Sequence, residues 1–265
     1  MRNVDGHLGT ATNASAFDAV RAAARPVSWS MTAVAEPQKF SDFEALLLAI
    51  AGHDLRQPLQ TIQSVQELLG NGVRTRSELH HLASSQIAIN RLTEQLDQLI
   101  AALRLREHAG DMELSAICLE PLLRQACREN EELALRKAIE IRTVSTSASI
   151  MSDPLLLGTV LRNLVSNAVK YTKPGGRIRV GCRHVGRDVR IDVLDKGSGI
   201  AEEEMQKIFD AFTRLDPKRR DGLGVGLFIV RQAIGMLGHR VEVSSVSCRG
   251  SRFSIFAARA EKASM

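Results

Sequence analysis

A long helical hairpin followed by a two-layer α/β sandwich is the fold class the sequence predicts, and three observations carry that prediction. Leu82, Ile89, Leu96 and Leu103 recur every seven residues, with Leu92 and Leu99 at the interleaved positions, which makes an a/d seam on a long helix. From residue 115 onward, segments of helical period alternate with segments of strand period. Within that second region "DPLLLGTVLRNLVSNAVKYT" opens with Asp153 as N-cap and Pro154 at the first helical position, a strong helix start.

In chain order, residues 1–38 are rich in Ala, Ser and Thr, carry Pro26 and Pro37 and show no sustained period, so they read as a flexible N-terminal segment. Residues 39–110 form the next unit. Leu55, Leu59, Ile62 and Leu69 make an apolar stripe after Phe43, Leu47 and Ile50, and "GNGVRTRS" separates it from the Leu82–Leu103 seam, in which Ser85 is the weak member. Two helices bury both stripes poorly by themselves, whereas two such hairpins pair into a four-helix bundle, so a homodimer is expected. Residues 115–260 form the third unit. Here "EPLLRQACRENEELALRK" is helical, "AIEIRTVS" is a short strand, and "GRIRVGCRHV" and "DVRIDVLD" flank a turn as a hairpin. "GLFIVRQAIGML" is a helix ending at Gly238, and "RVEVSSV" and "SRFSIFAAR" are two further strands. The sum is helices over one antiparallel-rich sheet.

Composition narrows the function classes. The chain of 265 residues is 44% hydrophobic and 25% charged, ordinary values for a globular protein with buried cores. A net charge of +5, spread along the chain except at Lys218-Arg219-Arg220, is too small an excess to argue for nucleic acid. Cys118, Cys127, Cys182 and Cys248 form no C-x-x-C pair, so neither a zinc site nor a redox motif is indicated, and scattered thiols fit a reducing compartment. No apolar run approaches the ~20 residues that span a bilayer, and the N-terminus lacks the apolar stretch of a secretory signal. A cytoplasmic protein is expected.

The stretch "IAGHDLRQPLQTI" (50–62) places His53 beside Asp54. On a helix, Leu55, Leu59, Ile62 and Leu69 fall within about 40° of one direction, and His53 lies about 160° away, with Gln57 and Gln60 on its face. His53 is therefore directed to solvent rather than into the seam. No His, Cys or carboxylate follows at i+3 or i+4, which argues against a metal site. An ordinary surface histidine remains one reading. The other is chemical: a neutral imidazole is a nucleophile, and a neighbouring carboxylate can fix its tautomer and accept its proton.

This segment resembles the H-box of two-component sensor histidine kinases. Four further stretches follow in that family's order: "LRNLVSNAVKYT" (161–172) is similar to the N-box, "DKGSGI" (195–200) to the G1 box, "IFDAF" (208–212) to the F-box and "GLGVGLFIV" (222–230) to the G2 box. The resemblance covers residues 40–258. It implies that the hairpin is a dimerisation and histidine-phosphotransfer domain and that 115–260 is an ATP-binding domain of the GHKL superfamily. Its implied activity is phosphoryl transfer from MgATP to His53, then to an aspartate of a separate response regulator.

By resemblance, Asn167 is the Mg2+ ligand, Asn163 supports it, Lys170 lies near a phosphate and Tyr171 lies against adenine. The i, i+4, i+7 spacing of Asn163, Asn167 and Lys170 puts them on one helical face, which by itself also describes a plain polar surface. Asp195 is expected to accept from the adenine amino group, with Gly197 and Gly199 allowing close backbone approach. Gly222, Gly224 and Gly226 enter a helix whose N-terminus favours phosphate oxygens. "TRLDPKRRD" (213–221) reads as a short lid or as a solvated loop, Phe209 and Phe212 as its packing anchors, and Ser251 as a companion of Asp195 through a water. Gln57 departs from the Thr or Asn usual at the H-box position that orients water for dephosphorylating the regulator.

Overall fold

The computed structural model describes residues 27–30, 56–69, 76–78, 80–89, 92–93, 112–211, 213 and 224–260. In chain order the elements are β1 (Val27–Ser30), α1 (Arg56–Leu69), β2 (Ser115–Cys118), α2 (Leu119–Arg128), α3 (Glu131–Arg136), β3 (Glu140–Thr143), β4 (Ser149–Ser152), α4 (Pro154–Tyr171), β5 (Arg177–Val185), β6 (Asp188–Asp195), α5 (Gly226–Met236), β7 (Arg240–Val246) and β8 (Gly250–Ala258). Residues 76–78 and 80–89 are also helical, as the seam predicts.

In this helical region Val65, Ser85 and Ala88 are buried, while the seam residues Leu82 and Ile89 remain 43% and 41% exposed, and Leu59 is 47% exposed.

The second layer system is built on a sheet of order β1-β7-β8-β6-β5-β3. Every neighbouring pair is antiparallel except β3–β5. Alternation places Ile178, Val180, Val189, Ile191, Val193, Val241, Val243, Phe253 and Ile255 in one core with the apolar faces of α2, α4 and α5. Helix α4 is the central helix, packed on α2, α5 and β6. Asp153 caps it as predicted, its Oδ1 accepting from the amides of Leu155 and Leu156 at 2.9 Å, with Pro154 in the first turn. The β5–β6 hairpin turns at Gly186, at φ +61°.

Three features differ from the sequence reading. Residues 27–30, placed there in a flexible segment, form strand β1 against β7. Four residues of alternation are too few to register as a period, and the pairing partner is some 210 residues away. The single helix expected over 120–137 is two helices. Asn130, buried, turns back so that its Nδ2 donates to the Ala126 carbonyl at 2.9 Å, which ends the first helix before α3 begins. A small antiparallel pair, β2–β4, was not foreseen. It carries Ile150, fully buried, across to the core.

Candidate functional site

Helix α4 supplies the first wall. Leu164, Val165, Ala168 and Val169 are buried, which leaves Asn163, Asn167 and Lys170 on a half-buried face, as their spacing requires. The Asn163 Nδ2 donates to the Thr159 carbonyl at 2.8 Å, which fixes the amide and turns its Oδ1 outward from the helix. A Cβ on Gly226 would stand 3.0 Å from that Oδ1 and 3.8 Å from the Asn167 Nδ2. The N-terminus of α5 therefore abuts the asparagine face of α4, and only a glycine fits the approach closely. Asn167 makes no side-chain hydrogen bond among the described residues. The Lys170 ammonium lies 5.9 Å from the centroid of the Tyr171 ring.

The second wall is the end of β6. Asp195 is buried, and burial pushes its carboxyl up to about 6, opposed by hydrogen bonds from the amides of Gly197 and Ser251. Both amides donate to one oxygen, Oδ1, at 2.8 and 3.3 Å. No described residue bonds Oδ2, which leaves a carboxylate oxygen able to accept from a ligand N–H. The loop after Asp195 is held in place from three sides. The Ser198 amide donates to the Tyr171 carbonyl at 3.3 Å, the Cys248 amide donates to the Ser198 carbonyl at 2.6 Å, and the Ile200 amide donates to the Ser245 Oγ at 2.8 Å.

Glycines make this closeness possible. Gly199 at φ +67° would, with a Cβ, collide with the Val246 carbonyl, and Gly250 at φ +111° would collide with the Asp195 carbonyl. Gly224 also has positive φ, +73°, just before α5. The structure thus brings together Asn163, Asn167, Lys170, Tyr171, Asp195, Gly197, Gly199, Gly224 and Gly226. Of the others, His53, Asp54, Gly222, Phe212 and the Lys218-Arg219-Arg220 run lie outside the described residues, and Gln57 stands in α1 with its side chain outside them. Phe209 is fully buried, an anchor for packing as expected. Ser251 reaches Asp195 through its backbone amide, while its hydroxyl is 2.9 Å from the Ser245 Oγ.

Sequence reasoning missed Ser245, Gly250 and Lys137. Lys137 Nζ donates to the carbonyls of Val169 and Lys170, both at 2.8 Å, and so caps the end of α4 next to Tyr171. All three act across long sequence separations, and no local pattern marks them.

The donor set suits a nucleoside triphosphate with Mg2+. Mg2+ keeps most of its water and takes few protein oxygens, and an uncommitted Asn167 carboxamide beside a helix N-terminus could serve as such a ligand. Among the described residues no cluster of three His, Cys, Asp or Glu side chains is present, so a metal here would rest on the amide and on the phosphates it bridges.

Residues 152–261 match the family model described as histidine kinase-, DNA gyrase B- and HSP90-like ATPase. The chain is similar to the sensor histidine kinase CusS of Escherichia coli O157:H7, at 29% identity over 208 residues covering 77% of this chain and 43% of CusS. It is similar to the adaptive-response sensory kinase SasA of Thermosynechococcus vestitus, at 32% identity covering 83% of this chain and 60% of SasA. Among solved structures, full-length ShkA in complex with AMPPNP shares 30% identity and superposes with a TM-score of 0.59 over 82% of this chain and 46% of ShkA. The chain spans less than two thirds of the length of each of these relatives.

Proposed function

We propose that the chain, which is similar to sensor histidine kinases over most of its length, is an ATP-dependent protein-histidine kinase of a two-component system. The observation that carries the reading is the buried carboxylate at the end of β6, Asp195, with one oxygen held by two amides and the other uncommitted, together with the close approach of Gly226 to the asparagine face of α4. Adenine is held at Asp195 Oδ2 and against Tyr171, and the phosphates run toward the α5 N-terminus and Lys170. Asn167 would hold Mg2+, which when bound would supply positive charge against the transferring phosphoryl group.

His53 is the acceptor. An imidazole nitrogen attacks the γ-phosphorus, the P–O bond to the bridging oxygen breaks, ADP leaves and Asp54 takes the imidazole proton. An aspartate carboxylate of a response regulator in trans then attacks the same phosphorus and the P–N bond breaks. Gln57, one turn from His53, serves the reverse branch, in which water attacks the regulator's acyl phosphate. Two copies pair through the hairpin, which is supported by the uncovered Leu59, Leu82 and Ile89. The four cysteines, all free, fit the cytoplasm, and no helix among the described residues is long and apolar enough to cross a membrane.

The test separates two defects. Wild-type protein given labelled ATP takes up acid-labile, base-stable label, as a phosphoramidate is. His53→Gln binds MgATP with unchanged affinity by calorimetry and takes up none. Asn167→Ala loses Mg2+-dependent nucleotide affinity by roughly tenfold or more, since each ~1.4 kcal/mol of lost coordination is a factor of ten. Acid-labile label on His53→Gln, or normal MgATP binding by Asn167→Ala, refutes the assignment of that residue.

A further inference from the structure

The six-stranded sheet ends at β3, whose outer side carries no strand among the described residues. In a parallel pair, alternate residues of a strand turn both amide and carbonyl toward the neighbour. The Glu140 and Val144 amides donate on the β5 side, to the carbonyls of Gly176 and Val180 at 3.1 and 2.8 Å. The amides and carbonyls of Ile141 and Thr143 therefore face the open margin, and no described residue bonds them. Beside that margin α2, α3 and β3 border a cavity of about 340 Å3, at the lower end of ligand-binding sizes. Its floor is Cys127, Ala134 and Ile139, all buried, and Leu135 stands on its rim 71% exposed. Thr143 Oγ1 donates to the Cys127 Sγ at 3.3 Å, and burial pushes that thiol above its ordinary value, so the floor carries no charge at neutral pH.

The charges around this margin are basic in balance. Arg124 is paired with Glu120 at 2.5 Å, and Glu140 with Arg177 at 3.1 Å. That leaves Arg128 and Glu131 at the cavity, and Arg142 on the exposed face of β3, without an ion-pair partner among the described residues. Arg142 also stands directly opposite Arg179 in the ladder, a like-charge pairing that costs free energy until an anion joins it. We propose that the open margin of β3 is a docking surface for an extended acidic segment of a partner protein, which adds to the sheet as a further strand and sends alternate apolar side chains into the cavity. Strand addition satisfies the free amides and carbonyls of Ile141 and Thr143. Because side chains alternate along a strand, those opposite Ile141 and Thr143 point as these two do, toward the helices and the cavity. The intervening side chains lie beside Arg142, where carboxylates are favoured. The segment thus reads apolar inward and acidic outward, over about five to seven residues. No residue assigned to nucleotide or to phosphoryl transfer takes part, so the docking stands or falls apart from the kinase reading.

The experiment uses the full chain and a fluorescein-labelled synthetic peptide, Glu-Val-Asp-Val-Glu-Val-Asp, followed by anisotropy. Saturable binding is expected with a dissociation constant below about 1 mM, and at least about tenfold tighter than for the Lys-Val-Lys-Val-Lys-Val-Lys peptide. Arg128→Glu combined with Arg142→Glu should weaken the acidic peptide about tenfold. Thr143→Pro removes an outward amide and leaves the β5 ladder intact, and an edge strand accepts proline, so binding should fall about tenfold or more. Thr143→Val keeps that amide and should bind as wild type does. The fully N-methylated peptide, which has no amide to donate, tests the same point without altering the protein and should not bind. Hydrogen exchange by mass spectrometry should slow about tenfold over 139–144 on addition of peptide, with β6 and β8 as the control for folding. No saturation up to about 1 mM overturns the docking. Equal binding of the basic peptide overturns the acidic partner, and undiminished binding by Thr143→Pro or of the N-methylated peptide overturns strand addition. Slow exchange over 139–144 before any peptide is added overturns the partner: a second copy holds the margin if protection grows with protein concentration, and a segment of the same chain holds it if protection does not.

Discussion

Asp195 is a residue whose two roles pull against each other. Its burial favours the protonated form, so below about pH 6 the folded protein holds a proton that the unfolded chain releases above its ordinary value of 3.8. With the folded value raised, stability is greatest at low pH and falls as pH rises through the window from about 4 to about 6, and the cost is fully present at pH 7. Asp195→Asn removes that cost and keeps an acceptor for the Gly197 and Ser251 amides. The ligand-free protein should gain about 2 kcal/mol, a rise in Tm of about 5 °C at pH 7 that disappears near pH 4. In the proposed adenine contact the same change turns Oδ2 into an N–H donor facing the adenine amino group, and MgATP affinity should drop by about 100-fold or more. Calorimetry and thermal melts at the two pH values check both halves. A stabilised protein that still binds ATP would remove adenine from Asp195.

At the scale of elements, the site depends on how α4 ends. Lys137 bonds the last two carbonyls before Tyr171 and places a cation at the negative end of the helix dipole. Lys137→Met keeps the aliphatic stem but leaves two partly buried carbonyls without their donor. A loss of about 2 kcal/mol is expected, seen as a Tm lower by about 5 °C, together with weaker nucleotide binding because Lys170 and Tyr171 lose their support. The start of this helix could be read from Asp153-Pro154, since capping is a local interaction, and so could the β5–β6 hairpin, since alternation over eight or nine residues is a long signal. The break at Asn130, the β2–β4 pair and Lys137 could not. An Asn in a charged run has no helical signature of its own, four-residue strands show barely two periods, and Lys137 meets α4 from 32 residues away. The asparagines and glycines of the site were recognisable through their resemblance to the family's boxes, each a contiguous stretch within one helix or one tight loop. Ser245 and Gly250, which press that loop against Asp195, belong to a different strand pair and carry no comparable mark.

For the whole molecule, the exposed stripe of the hairpin predicts assembly. Leu82 and Ile89 are each more than 40% exposed in a single chain, a costly arrangement unless a second copy covers them. A full-length L82E/I89E variant should sediment as a monomer where wild type is expected to sediment as a dimer, with the dissociation constant raised about 100-fold or more and with helical circular dichroism retained. A variant that stays dimeric places the contact elsewhere.

The two rims of the six-stranded sheet, β1 and β3, are each only four residues long, whereas β7, directly inside β1, has seven. Length at a sheet margin governs whether separate molecules zip together into fibrous or amorphous precipitate, since a long flat margin offers a row of unmet amides and carbonyls. The tetrapeptide Val-Ser-Trp-Ser thus occupies the part of that margin from Arg240 to Val243. A shortened protein trimmed to the nucleotide domain alone presents "RVEVSSV" as its margin, and its shelf life at high concentration is set by seven residues, of which β1 otherwise pairs with Arg240–Val243.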